Sequence, residues 1–392
     1  MSEKKFSGLT KNTFLLTFTS LFADIATEML YPVLPIFLTQ YLGDGGAVVG
    51  LIEGVATAMQ NIVQGFSGSI SDKLQKRKAV AIVGYLIAAI SKPFIGLSAT
   101  WTQVLAARSS DRLGTGIRSA PRDGLIANSV AEENRGKAFG LEGIGDNAGA
   151  FIGPLVAVAL LFYFKVGIRN IFYLSIIPGL LAVITVLLVK ESKGDFKSKA
   201  KLDVNVFKFS KSYWKYLAVI GIFGIGNISS SFMILETKNI GISLLGTILI
   251  YAFYNLAAAL ISYPSGAWAD KFGRKTILLA GFILFFISLI GFALTHNFFL
   301  ITIFFLLFGL YMGIFRTAGK TFASDFAPKE LRASAVGWFN TVVGVSGLIA
   351  SVLAGQIYDK VGHPAVFLTA AGFVFIGTVI LLFFKTNLNK NS

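Results

Sequence analysis

The sequence predicts an all-α polytopic membrane protein with twelve transmembrane helices in two six-helix pseudo-symmetric halves. Three observations carry that expectation. Apolar residues make up 54% of the 392-residue chain and charged residues only 14%, against about 25% charged in an ordinary soluble domain. Apolar runs near the ~20 residues that cross a bilayer as a helix recur from end to end. A marked stretch that follows the second run returns about half a chain later.

The runs centre near Leu21, Ala56, Ala88, Ala106, Phe151, Pro178, Ile225, Ala257, Phe285, Leu306, Gly347 and Phe375. The opening "MSEKKFSGLTKN" lacks the short apolar region and cleavage site of a signal peptide, so no removed leader is expected. The chain has no cysteine, which excludes disulfides, thiol catalysis and thiolate metal sites. A formal charge of +15 fits basic loops on the inner side of a membrane better than a nucleic-acid partner. The lysine-rich segment 190–215 is the one long polar stretch, and it divides an N-terminal half, 1–189, from a C-terminal half, 216–392. Basic residues gather in the N-terminal tail, this linker and the loops Asp72–Lys78, Pro121–Lys137, Asp270–Lys275 and Lys320–Arg332; Lys165, Arg169, Lys238 and Lys360 lie on the other side. Both termini and the central loop are therefore expected to be cytoplasmic, in the plasma membrane of a prokaryote.

In chain order, the first span reads "LFADIATEMLYPVLP". Asp24 and Glu28 stand one helical turn apart, and Tyr31, Pro32 and Pro35 mark a bent outer part. The second carries Glu53, Asn61 and Gln64 and ends in "GSISDKLQKRK", Gly68 to Lys78. The third places Lys92 beside Pro93, a cation at a kink. In the fourth, "LAARSSDRLGTGIRSAPRDG", Arg108, Asp111 and Arg112 follow i, i+3, i+4 spacing and share a face. The fifth, "GLEGIGDNAGAFIGPLVA", repeats the paired acids at Glu142 and Asp146, beside Asn147. It spaces Gly145, Gly149 and Gly153 four apart, a small-residue face for close helix contact. The seventh contains the neutral polar "FGIGNISSSF" with Asn227, and the eighth holds Tyr251, Tyr254 and Asn255. The eighth ends in "GAWADKFGRKT", Gly266 to Thr276.

That ending aligns with the end of the second span: Gly68 on Gly266, Asp72 on Asp270, Lys73 on Lys271 and Arg77 on Lys275, an offset of 198. Gly116 with Gly313 and Arg135 with Arg332 recur at nearly the same distance. A six-plus-six parallel duplication is one of the repeat plans of secondary transporters. On these residues the chain resembles the major facilitator superfamily over its whole length. The family's G-x-x-x-D-[RK]-x-G-[RK]-[RK] loop signature is complete in the C-terminal copy, while Gln75 replaces its second glycine in the N-terminal copy. The resemblance implies alternating access of the two halves about a midplane site. It also implies a cytoplasmic gate built from Gly68, Asp72, Lys73, Arg77, Gly266, Asp270, Lys271 and Arg274. Arg112 followed by Gly116 matches the fourth-span R-x-x-x-G pattern, whose arginine is associated with proton coupling. "GIRSAPRD" is similar to a branch of prokaryotic facilitators. "GAFIGP" resembles an antiporter signature, with Val156 and Ala157 in place of its last glycines.

Nine ionisable residues fall at membrane depth in the N-terminal half: Asp24, Glu28, Glu53, Lys92, Arg108, Asp111, Arg112, Glu142 and Asp146. None falls well inside a C-terminal span; Glu236 lies near an outer end. Each costs roughly 2.5–3.5 kcal/mol at a helix centre, so nine unpaired groups would cost on the order of 20–30 kcal/mol, more than a fold's net stability. They must face the bundle interior or a cavity. Six acids against three bases leave a formal −3, so ion pairing alone does not neutralise them. One reading is a salt-bridge scaffold; the other is a site that binds protons or a cation. Asp24, Glu28, Glu53, Arg112, Glu142 and Asp146 are the expected coupling residues: the paired acids Asp24 with Glu28 and Glu142 with Asp146 repel and a shared proton relieves them, while Arg112 would let protonation of a carboxylate switch an ion pair off and on. Lys92, Arg108, Asn61, Gln64, Asn147, Asn227, Tyr251, Tyr254 and Asn255 are expected to line a substrate cavity.

The leading expectation is a monomeric proton-coupled transporter of a small solute, with export favoured by the fifth-span signature. It has no cofactor and no enzymatic activity, and its partners are the solute, protons and the lipid bilayer. "GDGGAVVG" lacks the lysine and hydroxyl residue of a phosphate-binding loop, so an ion gradient would drive it. The alternatives are transport of a cation such as a divalent metal, and a receptor or lipid translocator on the same fold.

Overall fold

The computed structural model describes residues 8–74, 76–191, 209–328 and 331–384, with Ser69, Asp72 and Ala333 described in backbone only. Each expected span centre lies in its own helical segment. These are α1 (Lys11–Glu28), α2 (Gly46–Leu74), α3 (Arg77–Leu97), α4 (Trp101–Ser129), α5 (Arg135–Val158) and α6 (Ile168–Leu188). The second set is α7 (Lys211–Asn239), α8 (Leu244–Phe272), α9 (Arg274–Leu294), α10 (Phe298–Asp325), α11 (Arg332–Lys360) and α12 (His363–Phe383). Among the described residues ten helices are long and apolar enough to cross a membrane. The two others, α1 and α4, are the ones written with acids and arginines.

Local chemistry sets the helix starts. Thr10 and Thr13 form a reciprocal capping box at α1, and Ser210, Ser243 and Asn297 cap α7, α8 and α10 with side-chain oxygens. The first segment stops being regular at Glu28, turns through 29–33 and resumes at Leu34–Ile36, where Pro32 and Pro35 lack the N–H groups that would continue it.

The duplication is written in the helix boundaries. α2 and α8 are both 29 residues long and end 198 residues apart, at Leu74 and Phe272; α3 and α9 are both 21 long and begin 197 apart, at Arg77 and Arg274. One residue is lost in the turn between them. In the second copy that turn is Gly273 alone, at φ +91°, a conformation that glycine adopts without a Cβ clash. Arg77 is therefore the counterpart of Arg274, not of Lys275 as the sequence alignment had it. The contacts agree: Arg77 Nη1 donates to Gly124 O at 3.4 Å and Arg274 Nη1 to Thr321 O at 3.1 Å. The polar loops are also shorter than expected. Helix α4 continues through Pro121 to Ser129, and α10 continues to Asp325.

Two compact units result, one of residues 1–37 and 62–199 and one of 38–61 and 200–392. The first part of α2 is thus grouped with the second unit. There Asp359 accepts hydrogen bonds from Gly46 N at 2.7 Å and Ala47 N at 2.8 Å, and a Cβ on Gly50 would stand 2.0 Å from Ser351 O. An aromatic core fills the rest of this unit; Phe223 stacks on Phe282 at 3.5 Å and Tyr254 on Phe308 at 5.1 Å.

In the first unit two glycine seams draw helices together. Gly145, Gly149 and Gly153 of α5 face α1, where added Cβ atoms would meet Thr17 O at 2.6 Å, Leu21 O at 2.5 Å and Glu28 Cβ at 2.9 Å. Gly84 of α3 and Gly114 of α4 face each other, with added Cβ atoms 2.7 and 2.6 Å from the opposing carbonyl oxygens. Such close approach is how small residues hold helices in a bilayer.

Candidate functional site, a charge network in the first unit

The two seams put ionisable side chains of α1, α3, α4 and α5 into one network. On α4 the fully buried Asp111 accepts from Lys92 Nζ of α3 at 2.5 Å and from Arg108 Nη1 at 3.0 Å, while Arg112 Nε lies 3.8 Å away. Lys92 Nζ also donates to Ala88 O at 3.0 Å, and the Arg108 guanidinium stands 5.4 Å from the Tyr31 ring centre.

Two to three turns along α4 the arginines serve acids instead. Arg118 Nη2 lies 4.0 Å from Asp24 Oδ1, and its guanidinium stands over the Tyr85 ring at 4.4 Å. Arg122 Nη1 reaches Glu142 Oε1 at 2.9 Å, Asp146 Oδ1 at 3.9 Å and Ser20 Oγ at 3.0 Å; its Nη2 meets Asp123 Oδ1 at 3.0 Å. Ser20 Oγ in turn donates to Glu142 Oε1 at 2.7 Å. Across the α1–α5 seam, where Gly149 packs against Asp24, the Asp24 and Asp146 carboxyl groups lie close enough to act on each other's charge, and Glu28 acts on the same group.

Several expected residues are here and others are elsewhere. Asp24, Glu28, Glu142 and Asp146 converge, but the acids pair across helices rather than one turn apart on the same helix. Arg112 sits with Asp111, and the cation at Asp24 is Arg118. Arg118 and Arg122 are not among the residues expected at membrane depth, because the inner loop is expected to begin at Pro121; they stand i+7 and i+11 from Asp111, and that helical spacing is the signal that places them. They correct the charge tally. The first unit's network has Asp24, Glu28, Asp111, Asp123, Glu142 and Asp146 against Lys92, Arg108, Arg112, Arg118 and Arg122, one carboxylate in excess rather than three. Asn147 bonds back to Gly143 O at 2.7 Å, and Gln64 is half-buried.

The remaining residues belong to the second unit. Glu53 is buried there, and Asn61 donates to Thr57 O at 3.0 Å. Tyr251 and Tyr254 stack at 5.4 Å and are buried with Asn255. Asn227 lies in the break between Lys211–Ile225 and Ser230–Asn239. Glu236 is buried at 4% exposure and lies 3.3 Å from His363 Nδ1.

At the loop signature, Arg274 pairs with Asp325 and lies 3.7 Å from Asp270. Lys271 sits 5.2 Å from the Phe272 ring centre, and Lys73 is exposed. The side chain of Asp72 lies outside the described residues. Gly68 faces Ala120 and Gly266 faces Thr317, equivalent contacts in the two copies.

At the 197-residue offset Arg108, Asp111 and Arg118 correspond to Phe305, Phe308 and Phe315, all buried in the aromatic core. One plan thus carries an ionic interior in one copy and an aromatic interior in the other.

The Major Facilitator Superfamily profile matches residues 16–235 and 216–391. The chain belongs to that family. An MFS-type transporter of Methanocaldococcus jannaschii is 32% identical over 381 residues, spanning 96% of this chain and 95% of that protein. The quinolone resistance protein NorA of Staphylococcus aureus strain MRSA252 is 24% identical over 399 residues, covering 97% and 98%. The fold is shared with the nucleoside transporter NupG (D323A mutant), at TM-score 0.79 and 14% identity over 96% of this chain and 100% of that one. It is also shared with a bacterial homologue of the human lysosomal transporter Spinster, at TM-score 0.76 and 15% identity over 99% and 100%. This MFS protein is an integral membrane protein of the secondary-transporter class.

Proposed function

We propose that this MFS protein couples proton movement to the transport of a small solute by alternating access, and that Asp24 and Asp146 hold the coupling proton. The observation that carries this reading is the meeting of these two acids across the α1–α5 seam, with Arg118 on Asp24 and Arg122 on Asp146. The network has one carboxylate in excess, and one shared proton removes that excess. If the helices separate, Arg118 and Arg122 can neutralise the two carboxylates individually and the proton leaves. A change of helix position thereby becomes a change of proton affinity. Glu142 and Ser20 keep Arg122 in place, and the Lys92–Arg108–Asp111–Arg112 group anchors α3 to α4.

The arginines among the acids favour proton coupling over metal transport, because a divalent cation would have to displace them. Export by antiport is the favoured direction, on the fifth-span signature and on the likeness to a quinolone resistance protein. In this reading the chain works as a monomer in the plasma membrane, with both termini and the central linker cytoplasmic. The Arg274–Asp325–Asp270 group belongs to the cytoplasmic gate.

Solute-driven proton flux in proteoliposomes tests the reading. Wild type should move protons with solute. Asp24→Asn should bind solute and exchange it without net proton movement. Full proton coupling in Asp24→Asn would remove Asp24 from the mechanism.

A further inference from the structure

Among the described residues, two buried side-chain polar atoms of the first unit have no protein hydrogen-bond partner, the Tyr85 hydroxyl on α3 and Arg118 Nε on α4. Tyr85 is 2% exposed and Arg118 5%. A buried donor without a partner forfeits its hydration with nothing in return, and native interiors rarely tolerate this. Both residues line the same small cavity, together with Lys92 and small residues of α1, α3 and α6. Within it the centre of a water-sized guest has ≈ 10 Å³ to occupy, about what one water molecule needs.

We propose that one ordered water molecule occupies this cavity, bonded to Arg118 Nε, the Tyr85 hydroxyl and Lys92 Nζ, and that it holds Arg118 on Asp24. The donor set suits it. Arg118 Nε has one N–H to give. Lys92 Nζ has three, of which Ala88 O and Asp111 take two. A water accepts from both cations and donates to the phenol oxygen. An organic guest or a hydrated ion is too large for the space, and bare chloride or bromide is larger than water. The water bridges two ion pairs, Lys92–Asp111 and Arg118–Asp24. Tyr85 then acts as a positioning residue, its ring beneath the guanidinium and its hydroxyl fixing the water at the guanidinium edge.

A crystal structure of the full chain at about 2 Å decides the water. The expected result is one density peak within hydrogen-bond distance of Arg118 Nε and Tyr85 Oη. An empty cavity overturns the proposal, as does an Arg118 turned so that Nε bonds a protein oxygen. An anomalous peak at this place in crystals grown with bromide also overturns it, since the site would then be an anion site. Tyr85→Phe keeps the ring and removes the hydroxyl; its peak should weaken or vanish, with thermal stability measured alongside to confirm folding.

The positioning role rests on the proton-coupling reading. The charged groups around Arg118 and the Tyr85 hydroxyl are Asp24 from α1, with Glu28 of α1 and Asp146 of α5 beside it, Lys92 from α3, and Arg122 from α4. In Tyr85→Phe the midpoint of proton-coupled flux should move by about half a pH unit, roughly threefold in proton affinity, with the maximal rate within about twofold. An unmoved midpoint, with the peak lost or retained, refutes the positioning role. If wild type carries no proton flux, the coupling reading fails, and the density still decides the water by itself.

Discussion

Gly149 faces α1 so closely that a methyl group on it would stand 2.8 Å from Asp24 Cβ and 2.5 Å from Leu21 O. The contact sets the distance at which Asp24 and Asp146 meet. Gly149→Ala must push the helices apart, at a cost of about 1–3 kcal/mol, and should lower proton-coupled flux more than it lowers expression. Gly143, on the same helix with nothing within 4 Å of an added Cβ, is the control. Gly143→Ala should be neutral or stabilising by roughly 0.5–1 kcal/mol. Thermal melts of both variants in detergent check the contrast; equal melting temperatures would refute the seam.

Arg122 holds three carboxylates and a serine, so its removal leaves buried charge behind. Arg122→Gln should destabilise the protein by about 3 kcal/mol. Adding Glu142→Gln should restore part of that loss, because the stranded carboxylate goes with it. A double-mutant cycle on thermal stability measures the coupling, and additive losses would deny the pair.

Asp359 caps the start of α2 from 313 residues away in sequence. Asp359→Ala should cost about 1 kcal/mol, as lost N-caps do, and should raise hydrogen exchange at the Gly46 and Ala47 amides. Unchanged exchange there would dismiss the cap.

Asp44 lies in the short turn before α2, half-buried, with Oδ2 buried and without a hydrogen-bond partner. Burial pushes its carboxyl up from the ordinary aspartate range. The folded state therefore holds this proton more tightly than the unfolded chain. Its contribution to stability is fully present below the unfolded pKa, near 3.9, and is lost as pH rises through the higher folded value. Asp44→Asn should gain melting temperature over wild type at pH 7, and the gap should close near pH 4. A gap that widens on acidification would reverse the sign.

Much of this was legible in the sequence because it depends on spacing. Twelve apolar centres, the bend at Pro32 and Pro35, and the four-residue glycine spacing follow from composition and helical period. The convergence of Asp24, Glu142 and Asp146 follows from that spacing once the seam is known. Arg118 and Arg122 were hidden by their nearness to the expected loop at Pro121. Basic residues beside Pro121 read as a loop, yet α4 continues through the proline, and its far arginines turn inward to meet the acids. Tyr85 gave no signal, since a lone tyrosine in an apolar helix looks like packing until its hydroxyl is found without a partner. The one-residue slip between repeats shows in the sequence only as a change of offset, from 198 at Gly68 to 197 at Gly116, and the helix boundaries with the Arg77 and Arg274 contacts place it in the turn.

The polarity of α4 bears on how the chain enters the membrane during synthesis. A helix with Arg108, Asp111, Arg112, Arg118 and Arg122 on it partitions poorly from the translocation channel into lipid by itself. Only residues 98–100 separate it from α3, which brings Lys92 for Asp111 and the Tyr85 ring for Arg118. The two helices should therefore leave the channel as a preassembled hairpin. Glycosylation mapping in microsomes should find α4 integrated when α3 precedes it and passed through to the lumen when α3 is replaced by an unrelated apolar span.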